Sequence, residues 1–478
     1  MLRSSSSFVS PSPAARRVFL AGLPFVGLAM VLARVGDLAE HVEWTVVLLA
    51  VGTGALVWVI RRIEGAEPNS GPVAGAVLIV AVMMRLPLLL LTPTLSDDLL
   101  RYVWDGRVAA AGQNPYILAP DADELTPLRD ELWQALPHRS VATVYPPLAM
   151  GVFSIAARLP DPVFDNGSLW IKSALATADV LGAWALLLVA RRRGLPQVRV
   201  ALYAWSPLVA LETAGMGHVD ALGVAATVAA VAWLLGPRRQ GLTAPLAAAG
   251  GVLAKLAPLA AIPMWARHSG RPWKFAAIAL GVTAVSLAPV VATAGGVPPG
   301  LTTYGVSWEF NGPLYEPLWR AVEASGLVPM LHGGLDRLKG WIGHHETVNG
   351  LYPWVYPRLI AKAILAGIML WVLARSLRRR DPVAGTARLF EGLLLCSATF
   401  YPWYALWMMP WAALSRDAAW LTLAALLPLS YLPQFLSVPL MPWVFSAIWV
   451  PFFLLRWSSR RRSSQAFRAL PADGASPP

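Results

Sequence analysis

The sequence predicts an all-α polytopic membrane protein, and three observations carry that reading. Of 478 residues, 56% are hydrophobic and only 14% are charged, with a mean hydropathy of +0.54, outside the range of ordinary soluble domains. Apolar runs near the ~20 residues needed to cross a bilayer recur along the chain. The arginines collect in short clusters between those runs, the pattern of cytoplasmic loops rather than of a nucleic-acid-binding face, although the net charge is +12. The single cysteine, Cys396, excludes a disulfide framework or a Cys-based metal site within one chain.

Taken in order, runs long enough to span occur at 18–35, 43–60, 72–92, 170–190, 197–214, 218–235, 275–294, 353–374, 386–403, 418–436 and 440–456. The first follows a basic flank but no small-residue cleavage site, so it reads as a retained helix rather than a removed signal. The shorter run 404–414, YALWMMPWAAL, is expected to cross where the bilayer is locally thin. The stretch 242–266 is interrupted by Gly250, Gly251, Lys255 and Pro258 and is expected to dip in and return, while 144–159 is expected to lie along the outer surface. With those assignments the clusters at Arg16 and Arg17, Arg61 and Arg62, 191–193, Arg238 and Arg239, 267–274, 375–380 and 456–462 all fall on the cytoplasmic side, as the positive-inside rule asks; Arg34 is a small exception.

About twelve crossings result, with both termini cytoplasmic. Residues 16–457 form one transmembrane domain between a disordered tail at 1–15 and a disordered basic tail at 458–478. Two long loops, 93–168 and 295–352, face the other side.

The first of these loops opens with SDDLLRYVWDGRVAAAGQNPY. Proline-free until Pro115, it has helical spacing, and Asp98, Arg101, Tyr102 and Asp105 share one face. The plain reading of Asp97 and Arg101 is an exposed i,i+4 pair worth a few tenths of a kcal/mol. A carboxylate beside hydrocarbon is costly to ionise, however, which raises its proton affinity and suits it to general-base work; two adjacent aspartates reinforce this. Lys255, in the middle of an apolar run, is expected to face a polar cavity. His218 and Asp220 of GHVDALG are expected at an outer helix end, Asp220 as an ordinary N-terminal residue. The aromatic and proline-rich stretches SWEFNGPLYEPLW and YPWYALW fit an interfacial belt and equally a sugar-binding wall, to which Glu309, Asn311, Trp403 and Tyr404 would contribute. In HHE, at 344–346, adjacent histidines lack the i,i+4 spacing of a helical metal site.

The stretch containing DLLRY, followed in order by VYPPLAM at 144–150, GHVDALG at 217–223, Lys255 in LAKLAPLAAIP and YPWYALWMMP at 401–410, resembles the GT-C superfamily of polyprenyl-phosphate-sugar-dependent glycosyltransferases, most of all bacterial members described as mannosyltransferases. The resemblance spans most of the chain; the extra acid, Asp97, departs from the pattern and leaves open which carboxylate is the base. It implies a GT-C-like bundle in the bacterial inner membrane, with juxtamembrane helices in an extracytoplasmic first loop. It also implies transfer of a hexose, here mannose, with inversion, from a polyprenyl-phosphate donor to a glycan, lipid or protein acceptor. Asp98 or Asp97 would act as base, and Arg101, Arg107, Lys255 and Arg358, with Arg320 a further candidate, would hold the donor phosphate. Tyr102, Asp105, Tyr145, His218, Glu309, Asn311, Trp403 and Tyr404 would line the substrate site. No metal ligands are assigned and a divalent metal is left open; membrane lipids are expected partners and nucleic acid is not. The competing reading is a secondary transporter or lipid-linked-sugar flippase, whose paired broken helices and midplane charges the halves of this chain do not reproduce.

Overall fold

A computed structural model describes residues 12–65, 69–342, 345–436 and 441–468. Helix α1 (Pro13–Val35) starts where the Ser12 hydroxyl accepts from the Ala15 N–H and Pro13 occupies the first helical turn. It therefore begins inside the stretch expected as a tail. Helices α2 (Val42–Ile63) and α3 (Gly71–Leu89) follow. The first long loop carries α4 (Asp98–Ala110), α5 (Glu131–Ala135) and α6 (Pro147–Ala156), and leads into α7 (Ser168–Arg192).

The next two apolar runs do not form two straight helices. Short segments α8 (Ala201–Ala204) and α9 (Pro207–Ala210) continue into a π turn at Leu211–Gly215, and α10 (Asp220–Leu234) leaves at 120°. Pro207 breaks the ladder, and Gly217, at φ +75°, supplies the left-handed residue that the bend requires. Helices α11 (Thr243–Ala254) and α12 (Ile262–His268) are separated by an extended Lys255 and a 3-10 turn, and α13 (Pro272–Ala294) follows.

The second long loop holds α14 (Pro299–Ser307), α15 (Tyr315–Ala324), α16 (Leu327–Ile342) and α17 (His345–Asn349), and α18 (Pro357–Leu377) leaves it. His344 lies outside the described residues. The chain ends with α19 (Pro382–Leu395), α20 (Met409–Ser415), α21 (Ala418–Leu426), α22 (Leu432–Phe435) and α23 (Met441–Arg468). The backbone of α23 thus runs past residue 458, where a tail is expected from sequence.

Seven helical segments among the described residues are long and apolar enough to cross a membrane: α1, α2, α3, α7, α13, α18 and the stretch Ala418–Phe435. The bent pair Pro207–Gly215 with Asp220–Leu234 makes eight if it counts as one span. Their outer faces leave Trp44, Val51, Trp58, Val285, Leu370 and Trp371 more than half exposed, which only a lipid solvent makes inexpensive.

The inner faces enclose a fully covered polar knot. Arg85 of α3 donates from Nε (2.8 Å) and Nη2 (2.6 Å) to Asp179 Oδ2 of α7 and from Nη1 to the carbonyl of Ala204. Tyr203 (2.5 Å) and Thr213 (3.1 Å) donate to the same carboxylate. Every group on the knot has a partner, the condition on which a buried ion pair is tolerable, and it fixes the bent segment against α3 and α7. Among the described residues no strand forms; Phe310 and Asn311 make isolated bridges to Thr399.

Candidate active site

Where α4 begins, the chain turns from apolar α3 into the first loop, and a cavity of about 550 Å³ opens beside it. Asp97 sits at the helix N-cap and Asp98 at the first helical position, where the unsatisfied N–H groups favour negative charge. Asp98 is enclosed by protein but keeps 39% of its side-chain surface open to the cavity. Its Oδ2 accepts from the Tyr102 hydroxyl at 3.4 Å and lies 4.0 Å from His218 Nε2. Burial pushes the Asp98 carboxyl above the usual carboxylate range, outweighing the opposing pull of His218 and Lys255.

Arg101 points into the same cavity, steered by two bonds: its Nε donates to Asp105 Oδ1 at 2.8 Å and its Nη2 to the carbonyl of Val141 at 2.6 Å. Asp105 is itself only 2% exposed and does not line the cavity; it sets the direction of the guanidinium. Tyr102 stacks on Phe153 at 4.6 Å and meets Tyr145 edge-on at 4.8 Å, so α4 and residues 144–146 form one wall, with α6 packed behind it.

Further lining comes from the turn after α11 and from Tyr401, Trp403 and Tyr404, with the bent segment packed behind them. Lys255 Nζ bonds both oxygens of Asp220, at 2.8 and 2.7 Å, and lies 5.0 Å from the centre of the Tyr404 ring. Trp407 Nε1 donates to Asp220 as well, at 2.6 Å. Despite that pairing 31% of the Lys255 side chain remains exposed, on the cavity side. His218 stacks on Trp403 at 3.9 Å, which stacks on Tyr401 at 4.5 Å. The roof joins the two long loops: the His138 ring lies 4.6 Å from that of Trp308, and Tyr304 shares a 2.5 Å hydrogen bond with Tyr404.

Thus Asp97, Asp98, Arg101, Tyr102, Tyr145, Lys255, Trp403 and Tyr404 line one cavity, and His218 stands directly behind it. Arg107 does not reach it, being paired with Asp130 at 2.5 Å. Glu309 and Arg358 bond each other at 2.9 Å, with Lys362 on the second carboxylate oxygen at the same distance. Arg320 pairs with Glu316 and is 63% exposed. Asn311, fully buried, donates to the Phe400 carbonyl and accepts from Trp449 Nε1 at 2.9 Å, a structural role.

Sequence reasoning passed over Ser96, His138 and Tyr304, took Trp308 only as part of the aromatic stretch SWEFNGPLYEPLW, and treated Asp220 as an ordinary end residue. It also passed over Glu212, although an acid inside an apolar run is a signal in its own right. No group of three or more His, Cys, Asp or Glu side chains that could hold a metal ion occurs among the described residues.

An all-helical bundle with an apolar outer belt, and a cavity where a poised carboxylate meets fixed cations and aromatic faces, define a membrane glycosyltransferase of the GT-C type. Residues 19–271, more than half of the chain, match the family described as alpha-(1->6)-mannopyranosyltransferase, N-terminal domain, and the chain belongs to that family. It is therefore a mannosyl-transferring enzyme. The matched region holds Asp97, Asp98, Arg101, Glu212, His218, Asp220 and Lys255, while the cavity wall from Leu301 onward lies beyond it. No curated protein and no solved structure matches the chain.

Proposed function

We propose that this enzyme moves mannose from a polyprenyl-phosphate donor to the hydroxyl of a glycan acceptor on the extracytoplasmic face of the inner membrane, with inversion, and that Asp98 is the base. The observation that carries the reading is Asp98 itself: a carboxylate open to the cavity, held at a raised proton affinity, with Lys255 and Arg101 lining the same space. As the acceptor O–H breaks, its proton passes to Asp98. The oxygen bonds the anomeric carbon, and the bond from that carbon to the phosphate oxygen breaks with its electrons on the phosphate. Lys255 and Arg101 are placed to hold the departing charge. An α-linked product formed by a single inversion requires a β-configured mannosyl phosphate, which fixes the donor anomer. The wider topology of about twelve crossings belongs to the same proposal.

The test is transfer by the purified protein from radiolabelled polyprenyl-phosphate mannose to an α-1,6-linked mannan oligosaccharide. Asp98→Asn is expected to lose about 100-fold or more of the rate, the usual scale of a general base, while Asp97→Asn, at the exposed N-cap, retains most of it. Equal activity of Asp98→Asn and the wild-type protein would reject Asp98 as the base. Use of a nucleotide sugar in place of the lipid-linked donor would reject the donor assignment.

A further inference from the structure

Behind Asp98 lies a second carboxylate that the proposed reaction does not use. Glu212, in the π turn, is completely buried, and its Oε1 accepts from the Tyr431 hydroxyl at 2.7 Å. Its Oε2 lies 3.0 Å from His218 Nδ1, and the Glu212 backbone carbonyl is 3.2 Å from the same nitrogen. The carbonyl can only accept, so Nδ1 carries the proton, while Oε2, which takes no hydrogen bond, faces that edge of the ring as a charge. In the neutral ring the lone pair is then on Nε2, which points to the Ser96 hydroxyl at 3.2 Å and to Asp98 Oδ2 at 4.0 Å. Stacking on Trp403 prevents the ring from tilting away. The π turn has a purpose in this arrangement: it places the Glu212 side chain and carbonyl together against one imidazole edge.

We propose that Glu212 is a positioning residue that fixes the tautomer of His218, so that His218 Nε2 receives the proton Asp98 takes from the acceptor hydroxyl. This rests on Asp98 being the base. The proton leaves the acceptor oxygen for Asp98 Oδ2 and moves on to His218 Nε2 once the 4.0 Å between them closes to hydrogen-bond distance, the Glu212 carboxylate offsets the imidazolium, and Asp98 is again ionised when the phosphate departs. No further reactant is needed. The groups facing this pair are Glu212 and, through it, Tyr431, on one side, and Tyr102, Asp220 and Lys255 around Asp98 on the other. Asp98 and His218 act as one unit, which must be free of the transferred proton before each turnover.

Removing the buried negative charge makes that unit less basic. In Glu212→Gln, kcat is expected to fall at least about tenfold with KM within about threefold, and the acid limb of the kcat–pH profile to move down by about one unit. In a His218→Gln background, the added Glu212→Gln change is expected to leave the limb where it is. A limb that is unmoved or moves up in Glu212→Gln, or that still moves in the His218→Gln background, overturns the inference. If Glu212→Gln does not fold, His218→Gln alone decides: a loss of less than about threefold in kcat overturns it. These outcomes are separable from failure of the base assignment, since Asp98→Asn is inactive whether or not the relay exists, and an active Asp98→Asn rejects the base first.

Discussion

Asp98, the proposed base, works against the fold that holds it. Its carboxyl is pushed up by burial, so the folded protein binds this proton more readily than the unfolded chain does. Stability from this group is therefore greatest at acid pH and is lost as pH rises from the unfolded toward the folded value. Asp98→Asn removes the ionisation and keeps the shape, and a thermal midpoint above that of the wild-type protein at neutral pH is expected, alongside the lost transfer. A scan in detergent at pH 5 and pH 8 checks the sign, because the gap should be wider at pH 8. Activity has the opposite dependence: the base must be ionised, so the rate falls as pH drops through the raised value. A variant stabilised at pH 5 but not at pH 8 would contradict this account of the carboxyl.

At the scale of elements, the continuous helices were legible and the broken ones were not. Runs expected at 18–35, 43–60, 72–92, 170–190 and 275–294 became α1, α2, α3, α7 and α13 with ends shifted by a few residues, because uninterrupted apolar helices satisfy their own backbone in lipid. The runs at 197–214, 386–403 and 404–414 are apolar too, yet Pro207 and Pro410 break the first and last into short segments, and α19 ends at Leu395, before Pro402 opens a turn that hydropathy does not resolve. The same breaks bring Trp403 and Tyr404 to the cavity and His218 directly behind it. Asp98 was legible because a carboxylate at a helix end beside lipid is conspicuous. The pairing of Lys255 with Asp220 was hidden, since 35 residues and a bend separate them. One contact between elements is open to direct test. A Cβ on Gly300 of α14 would lie 2.1 Å from the carbonyl oxygen of Ala142, so the two long loops close over the cavity only because that residue has no side chain. Gly300→Val should push them apart at a cost of about 1–3 kcal/mol and lower kcat/KM more than it lowers the thermal midpoint. An unchanged kcat/KM would mean that the roof is dispensable.

On the scale of the whole molecule, four spans have their arginine-rich ends away from the two long loops. Helix α7 leaves the first long loop at Ser168 and ends in Arg191 and Arg192; at ~1.5 Å per residue its 25 residues reach about 37 Å, enough to cross the hydrocarbon. Helix α3 starts after Arg61 and Arg62 and ends at that same loop. Helix α13 begins after Arg271 and runs to the second loop, and α18 returns from it to Arg375 and the arginines at 378–380. Every arginine-rich end is thus opposite the loops that roof the cavity, and retention of positive charge in the cytoplasm would put Asp98 outside. The single cysteine makes this measurable. In a Cys396→Ser background, Glu131→Cys in α5 and Arg238→Cys between α10 and α11 both replace exposed side chains. A membrane-impermeant maleimide added to intact spheroplasts should label Glu131→Cys strongly and Arg238→Cys only after lysis. The reverse pattern would place the cavity in the cytosol, where nucleotide sugars are made, and would remove the reason for a lipid-linked donor: a sugar used outside the membrane must be carried across it on something that the membrane retains.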